Sequence, residues 1–448
     1  MKLLHTEIRV IGGGLAGCEA AWQIARRGLP VRLFEMRPEK TTPAHQSEDL
    51  AELVCSNSLK SMSPDSATFL LQEELRRLQS LLIRVADETR VPAGQALAVD
   101  RVLFRRRVTE ILSAAPGIEL RREEVTSLAG PGIVLVASGP LTSDRLSRSL
   151  LEWAGQDHLY FYDAISPIVE VDSLDFRIVF AASRYDKGEG DYLNCPMDRE
   201  EFERFFEALI SAEPVPLRDF EAPRFFEACL PLEELARRGK ETLLFGPLKP
   251  VGLTDPRTGR RPHAVLQLRR ENLQSDAFNL VGCQNHMKFG DQQRIFRLIP
   301  GMENARFLRF GQIHRNTFID APRLLQPTLQ SRKEERVFFA GQISGVEGYL
   351  ESIATGLMAG VHAACLASEG TPASFPETTA CGSLCRYLSS AEVRPYQPAN
   401  MTFGLLPPPA EQGRQRIRDK KERRRRQVQD ALLCLNSFIR DYPPLRTG

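Results

Sequence analysis

The most constraining feature of the sequence is a glycine motif close to the N-terminus. Residues 12–17 read GGGLAG and contain the pattern G-x-G-x-x-G, directly after a run of strand-forming residues at 8–11. Residues 15–27 have the apolar spacing of a helix, and residues 31–34 predict a second strand. This order of strand, tight glycine turn, helix and strand predicts a βαβ unit of the kind that binds dinucleotides.

Each part of the motif has a physical reason. Gly12 permits the tight turn, Gly14 lets a pyrophosphate approach the backbone, and Gly17 lets the helix pack closely on the strand. The free N–H groups at the helix start attract phosphate. Glu35 stands 23 residues after Gly12, where an acid accepts hydrogen bonds from ribose hydroxyls. A glycine-rich turn without a ligand is the alternative. The candidate cofactor contacts in this unit are Gly12, Gly13, Gly14, Leu15, Ala16, Gly17 and Glu35.

Two later segments favour FAD over NAD as the dinucleotide. Residues 132–143 predict a buried strand that ends in a turn of small residues, and residues 336–360 predict a strand, a Gly-rich loop and a helix. A second strand–loop–helix would again point helix N–H groups at a ligand. The long FAD molecule is often held from both ends of a chain in this way. An ordinary Gly-rich connection is the alternative for residues 336–360.

The predicted fold is α/β, a Rossmann-like FAD-binding domain with an inserted smaller α+β domain. Residues 183–198 and 241–272 contain short strand-like runs between turns marked by Pro and Gly. Such runs fit an insertion between the two halves of the glycine-rich framework. We expect the first part of the FAD-binding domain at 1–170, the inserted domain at 171–280, and the second part, with a basic C-terminal helical segment, at 281–448.

The nine cysteines are scattered and odd in number, which predicts free thiols in a reducing compartment. Cys381 and Cys385 form a C-x-x-x-C pair without a second Cys/His pair, so we favour two helix-face cysteines and predict no metal site. Cys55 lies in AELVCSNSLK, where the polar Ser-Asn-Ser run predicts a turn or a helix start. Cys229 precedes a helix predicted from Leu232, and helix N–H groups stabilise a thiolate. Alone, such thiols are more often inert; a flavin-type site in the same chain shifts that balance.

Positive charge is concentrated in one run. Residues 414–426, RQRIRDKKERRRR, carry nine Lys or Arg and two Asp or Glu, in a chain whose net charge is +2. Such a cluster can bind nucleic-acid phosphates, and a solvated helix face is the alternative. Residues 427–440 predict an amphipathic helix. We find no apolar run long enough to span a bilayer and no signal-peptide h-region, so we expect a cytoplasmic protein without a membrane partner.

Long collinear stretches run nearly from end to end of the chain. They are GGGLAG, FEMRP, TPAH, VCSNSL, RVPAG, ALAVDR, SGPLTS, FYDAISPIV, SRYDKGEGDYLNCP, FEACLPLEELARRG, FGPLKPVGL, FRLIPGMENA, HRNTFI and AGQISGVEGYLESIATGL. These stretches resemble the folate- and FAD-dependent tRNA (uracil-5-)-methyltransferases, often called TrmFO. The related flavoproteins that modify wobble uridine share the glycine motif and the IPGMENA-like stretch, but not VCSNSL or FEACLP.

The resemblance implies an activity, C5-methylation of a uridine in the T-loop of tRNA. Methylenetetrahydrofolate would supply a methylene group by way of FAD, and NAD(P)H would supply the reduction. A thiolate that adds to uracil C6 makes C5 nucleophilic, and two cysteines implicated in the family match Cys55 and Cys229. We assign Cys229 as the nucleophile and Cys55 as the base or protecting partner near the flavin, with the exchanged roles left open.

The resemblance also implies contacts from the second glycine loop. The implied FAD-binding residues there are Gly341, Gln342, Gly345 and Gly348, and Tyr349 is the candidate platform for the folate pterin ring. A core tyrosine is the alternative for Tyr349.

Departures from the family pattern leave the RNA target open. Residues 94–95 read GQ where GG is expected, and residues 281–296 and 398–404 differ at several positions. The alternatives are the same reaction on a uridine of 23S rRNA, or a catalytically inactive RNA-binding flavoprotein. The presence of both Cys55 and Cys229 argues against the inactive protein. A flavin disulfide reductase is disfavoured because no close C-x-x-C pair stands beside the first helix.

Overall fold

The computed structural model describes residues 7–42, 44–155, 159–164, 166–186, 190–215, 230–390, 396–408 and 419–445. Cys229 and residues 414–418 of the basic run lie outside the described residues. The strands are β1 (Ile8–Ile11), β2 (Val31–Phe34), β3 (Ser58–Ser61), β4 (Arg90–Val91), β5 (Ala96–Val99), β6 (Ile118–Arg121), β7 (Ile133–Val136), β8 (Leu159–Ala164), β9 (Ile168–Glu170), β10 (Phe180–Ala181), β11 (Tyr192–Met197), β12 (Ala264–Arg270), β13 (Ala277–Leu280), β14 (Phe307–Arg309), β15 (Ile313–Phe318) and β16 (Val337–Phe339).

The helices alternate with these strands along much of the chain. They are α1 (Leu15–Ala25), α2 (Ala67–Arg77), α3 (Leu81–Glu88), α4 (Arg101–Ala114), α5 (Asp144–Ala154), α6 (Arg199–Ile210), α7 (Leu232–Arg237), α8 (Lys240–Phe245), α9 (Phe289–Phe296), α10 (Ala321–Leu324), α11 (Tyr349–Ala367), α12 (Ala380–Ser389) and α13 (Lys420–Asp441).

A five-stranded parallel sheet confirms the predicted βαβ unit. Its strand order is β16-β7-β1-β2-β6, and Ile8 in β1 pairs with Val31 on one side and Ile133 on the other. Strand β7 is buried along its whole length, as expected for a parallel strand covered on both faces. The chain winds away from β1 in both directions, so the sheet has a switch point between β1 and β7, where ligands of such folds bind.

The two helices that follow the glycine loops pack directly against each other. A Cβ at Gly356 of α11 would lie 2.2 Å from the carbonyl oxygen of Ala16 in α1, so only glycine allows this approach. By length and composition α11 could cross a membrane, and the expectation that no run is long enough was wrong. However, 89% of that apolar window is buried, as in the core helix of a soluble protein.

A second, antiparallel sheet lies between the two halves of the parallel sheet in the sequence. Its strand order is β10-β11-β12-β13-β9-β14, and helices α6 to α9 pack on it. Its core runs from Val169 to Ala305, wider than the predicted range 171–280. Strands β9 and β14 lie outside that range but belong to the same sheet, because β9 pairs with β13 and β14 pairs with β9. The division of the chain into domains stays a prediction.

The C-terminal segment covers the parallel half of the molecule. Helix α12 carries Cys381 and Cys385, both buried, in agreement with the helix-face interpretation of this pair. Seven of the eight described cysteines, all except Cys55, are free thiols. Helix α13 begins earlier than the predicted range 427–440 and buries Val428, Ala431 and Leu435. Its cationic first two turns therefore belong to the same helix as its apolar face.

Candidate active site

An open cleft lies at the carboxyl ends of β1, β2, β7 and β16. This is the switch point of the parallel sheet. The predicted cofactor residues that line the cleft are Gly12, Gly13, Gly14, Leu15, Ala16, Glu35, Gly341, Gln342 and Tyr349. Gly17 lies behind the cleft, because a Cβ there would be 1.8 Å from the carbonyl oxygen of Gly12. The structure therefore brings both glycine loops to one cavity.

The start of α1 has the features of a phosphate site. Gly14 is the N-cap residue and makes no side-chain cap hydrogen bond, and the first N–H groups of any α-helix have no partner within the helix. A Cβ at Gly14 would meet nothing within 4 Å, so the backbone here faces open space. A pyrophosphate can approach such a turn closely and accept these N–H groups. The cleft thus fits FAD at its phosphate-binding end.

Glu35 at the end of β2 is already engaged by the protein. Its carboxylate accepts hydrogen bonds from the N–H of Gly13 at 3.0 Å and from the N–H of Arg37 at 3.0 Å. The Arg37 guanidinium donates two more, at 2.9 and 3.1 Å. Although burial raises the pKa of Glu35, the bonds from Arg37 bring it below its usual value. Glu35 thus fixes the glycine turn, while its contact with a ribose stays a prediction.

The second glycine loop approaches the first one closely. A Cβ at Gly341 would lie 2.8 Å from the Cβ of Ala16, and the Gln342 amide donates to the Glu347 carboxylate at 3.0 and 3.1 Å. Gly345 and Gly348 are not among the residues that line the cleft. They contribute to the shape of the loop instead. A Cβ at Gly345 would lie 1.9 Å from the Tyr396 hydroxyl. Contacts of Gly345 and Gly348 with FAD stay predictions.

Cys55 lies in a bend directly before β3, so the predicted turn is confirmed and no helix begins there. The Tyr349 hydroxyl oxygen accepts hydrogen bonds from the N–H of Cys55 at 2.8 Å and the N–H of Ser56 at 3.1 Å. The Cys55 Sγ is 3.1 Å from the same oxygen. A phenolic oxygen has two lone pairs and one hydrogen. Because the two N–H groups use the lone pairs, the hydroxyl hydrogen is left to donate to the sulfur.

The electrostatic surroundings of this pair favour a negatively charged sulfur. Burial, followed by the field of Cys55, raises the pKa of Tyr349 well above its usual value, so the hydroxyl keeps the proton that it donates. The guanidinium groups of Arg101, Arg269 and Arg309 all interact electrostatically with Cys55. Positive groups near a thiol stabilise its thiolate. The site can therefore hold Cys55 as a nucleophile or a base.

Sequence reasoning missed these arginines. Arg101 is the first residue of α4, and its guanidinium donates to the Leu53 carbonyl at 2.9 Å and pairs with Glu271 at 2.5 Å. Arg309 ends β14 in the second sheet. No local pattern connects residues that lie 46 to 254 positions from Cys55, since only the fold brings them together.

The second predicted cysteine cannot be placed, since Cys229 lies outside the described residues. The helix predicted after it is confirmed as α7, with Pro231 as N-cap residue and Glu233 and Glu234 in its first turn. Glu233 is buried and accepts a hydrogen bond from the N–H of His286 at 2.9 Å. The role of Cys229 stays a prediction.

Comparison with known proteins gives consistent results. The family described as "Glucose inhibited division protein A" matches residues 7–371. The chain is 58% identical over 437 residues to methylenetetrahydrofolate–tRNA-(uracil-5-)-methyltransferase TrmFO of Koribacter versatilis, covering 97% of this chain and 98% of the relative. It is 59% identical over 436 residues to the protein of the same name from Solibacter usitatus, covering 96% and 98%.

A solved structure shares the fold. Aquifex aeolicus GidA in the form II crystal superposes with a TM-score of 0.72 at 16% identity, covering 99% of this chain and 74% of that chain. At this identity the likeness concerns the fold alone, and it supports the α/β arrangement of the parallel sheet and its insertion.

Proposed function

The chain belongs to the TrmFO family of methylenetetrahydrofolate–tRNA-(uracil-5-)-methyltransferases, and from this premise we propose that it methylates C5 of a uridine in the T-loop of tRNA. The names of the two relatives above give methylation of tRNA at uracil C5 with methylenetetrahydrofolate, and both proteins align over nearly the whole chain. Methylenetetrahydrofolate is the one-carbon donor and NAD(P)H the reductant. FAD, when bound, relays the one-carbon unit and the reducing equivalents.

The observation that carries the proposal is the hydrogen bond from Tyr349 to the Cys55 sulfur beside the glycine cleft. Uracil C5 is a poor nucleophile until a thiolate adds to C6. In the proposed sequence Cys229 forms the S–C6 bond, and C5 attacks the one-carbon unit. Cys55 then takes the proton from C5 as the bond between the one-carbon unit and its carrier breaks. A hydride that derives from NAD(P)H reduces the resulting methylene to methyl, and the S–C6 bond breaks to release the Cys229 thiolate. A sulfur that accepts the Tyr349 hydrogen bond is prepared to be a thiolate base.

The partner and the compartment follow from the same substrates. tRNA, reduced folate and NAD(P)H meet in the cytoplasm, where the eight described cysteines would stay reduced. We assign the FAD-binding parts to 1–170 and 281–448 and the inserted domain to 171–280, with sheet pairing from β9 and β14 beyond those limits. The residues proposed to hold FAD are those of the two glycine loops.

A 5-fluorouridine tRNA tests the two thiols directly. Fluorine cannot leave C5 as a proton does, so the enzyme should form a lasting covalent complex that denaturing gels and mass spectrometry detect. Cys229→Ala should abolish both the complex and methylation, because no thiolate adds to C6. Cys55→Ala should lose methylation and keep the complex, because the base acts after addition.

Cys434→Ala is the matched control, since this partly exposed cysteine lies on α13. It should methylate at the parent rate. If the covalent complex depends on Cys55 and persists without Cys229, then Cys55 is the nucleophile and Cys229 the base. Normal methylation by both alanine variants would refute the proposed chemistry. If the enzyme methylates 23S rRNA and not tRNA, the substrate of the proposed reaction is 23S rRNA.

A further inference from the structure

The last residues of β12 reach from the second sheet to the turn that carries Cys55. The Arg269 guanidinium is buried, with 8% of its surface exposed. Its Nε donates to the Asn57 side-chain oxygen at 2.8 Å, and a terminal nitrogen donates to the Ser56 hydroxyl at 2.8 Å. One rigid side chain therefore binds both residues that follow Cys55.

Asn57 completes this connection. It is fully buried, and its amide nitrogen donates to the carbonyl oxygens of Val99 at 3.0 Å and Arg270 at 2.8 Å. Each hydrogen-bonding group of the Asn57 side chain is thus used, with β5 on one side and β12 on the other. The turn is held from α11 through Tyr349 and from β12 through Arg269.

We propose that Arg269 is a positioning residue, which holds the Ser56–Asn57 turn so that the Cys55 sulfur stays against the Tyr349 hydroxyl as a hydrogen-bond acceptor. The assignment rests on the proposed function, in which Cys55 acts as a thiolate. The antiparallel sheet then takes part in the chemistry by fixing the turn before β3, a strand that lies outside that sheet.

The charge balance supports a role beyond shape. Among the described residues, Tyr349 from α11, Arg101 from α4, Arg269 from β12 and Arg309 from β14 interact electrostatically with Cys55. All three of these guanidinium groups also interact with the carboxylate of Glu271, which pairs with Arg101. Burying an excess of positive charge is costly. A thiolate at Cys55 would reduce that excess of positive charge. If Arg269 only held the turn in shape, no negative charge on the Cys55 sulfur would be needed.

The experiment measures the pH dependence of Cys55 alkylation in the FAD-loaded full chain. Iodoacetamide reacts with the thiolate, and mass spectrometry of the Cys55 peptide reports its rate from pH 5 to 10, in a Cys229→Ser background. Arg269→Gln should raise the midpoint by about one pH unit, which is about a tenfold fall in the ionisation constant of the Cys55 thiol. Arg269→Lys keeps the positive charge but loses the planar guanidinium that donates to both Asn57 and Ser56, so its midpoint should rise less.

Arg184→Gln is the matched control. Arg184 also bonds to β12, with its Nε donating to the Gln267 side-chain oxygen at 2.8 Å, and its other bond goes to the Val251 carbonyl at 2.9 Å. Its midpoint should equal that of the parent. An unchanged midpoint in Arg269→Gln, or an equal rise in Arg184→Gln, would overturn the assignment.

Two further outcomes are decisive. If Arg269→Gln fails to fold, as judged by lost FAD, the Arg269→Lys variant decides the question, and an unchanged midpoint there overturns the proposal. Alkylation needs neither RNA nor folate. A raised midpoint in an enzyme that methylates no RNA would therefore support the positioning role of Arg269 while refuting the proposed function.

Discussion

The glycine cleft and the Cys55 turn lie side by side, but they are built from different parts of the chain. The cleft is made of backbone: N–H groups at the start of α1 and two glycine loops that approach each other closely. The Cys55 turn is made of side chains that come from α4, α11, β12 and β14. A side chain added to a backbone site blocks the approach of its ligand. A side-chain site instead loses its chemistry when one functional group is removed.

The first prediction breaks the backbone site and leaves the other intact. Gly14→Val should fold, because a Cβ at Gly14 meets nothing within 4 Å. The valine would occupy the space where a pyrophosphate approaches the backbone, so FAD affinity should fall by at least about a hundredfold. Flavin absorbance of the purified protein and fluorescence titration with FAD measure the loss.

Gly290→Val is the control for this substitution. A Cβ at Gly290 would also meet nothing within 4 Å, and this glycine lies on α9, away from the cleft. The variant should bind FAD like the parent. Full FAD binding by Gly14→Val would contradict the assignment of the glycine turn as the phosphate site.

The second prediction breaks the side-chain site and leaves the backbone of the cleft unchanged. Tyr349→Phe removes the acceptor of two N–H groups and the donor to the Cys55 sulfur. Methylation should fall by about 10- to 100-fold, because a lost hydrogen bond to a charged group costs about 1.5–3 kcal/mol. FAD should remain bound. Single-turnover methylation of tRNA measures the rate.

The same variant separates two roles for Tyr349. Phenylalanine keeps the aromatic ring, so a tyrosine that served only as a pterin platform would tolerate the change, with an unaltered rate. Tyr387→Phe, which removes a hydroxyl that contacts the Gln397 carbonyl, is the control and should retain full activity. If Tyr349→Phe keeps full activity, the Tyr349 hydroxyl is not needed, and Tyr349 serves only as a platform for the pterin ring.

The contrast also explains what the sequence could predict. The βαβ unit, the second strand–loop–helix and the turn at Cys55 depend on local spacing, and all three are confirmed. The predicted range 171–280 does not include β9 and β14, whose pairing joins residues more than 100 positions apart and leaves no local signal in the sequence. Arg101 and Arg269 could not be predicted, since these arginines have no local signature until their partners Leu53, Ser56 and Asn57 are placed beside them.

The smallest expected effect concerns the basic run at residues 414–426. It is visible in the sequence, but its described residues belong neither to the glycine cleft nor to the Cys55 turn. In α13, Arg423, Arg425 and Arg426 are exposed and Arg424 lies 5.1 Å over the Phe403 ring. Acidic groups lie among these cations: Glu422 in the same turn, Asp430 paired with Arg426 at 3.3 Å, and Asp65 near Arg425. The net attraction for phosphate is therefore weaker than the bare sequence suggests.

Replacing all four arginines 423–426 with alanine should weaken tRNA binding by about 3- to 10-fold at physiological salt, and each lost phosphate contact should reduce the slope of log affinity against log salt by about one. FAD content and the alkylation profile of Cys55 should not change, because the run contributes to neither site. The control replaces four exposed arginines elsewhere, Arg84, Arg107, Arg121 and Arg177, and should leave the slope as it is. Filter-binding titrations from 50 to about 300 mM salt distinguish the two. Equal slopes for both variants would make the run a solvated helix face, and the tRNA would then be bound by other parts of the surface.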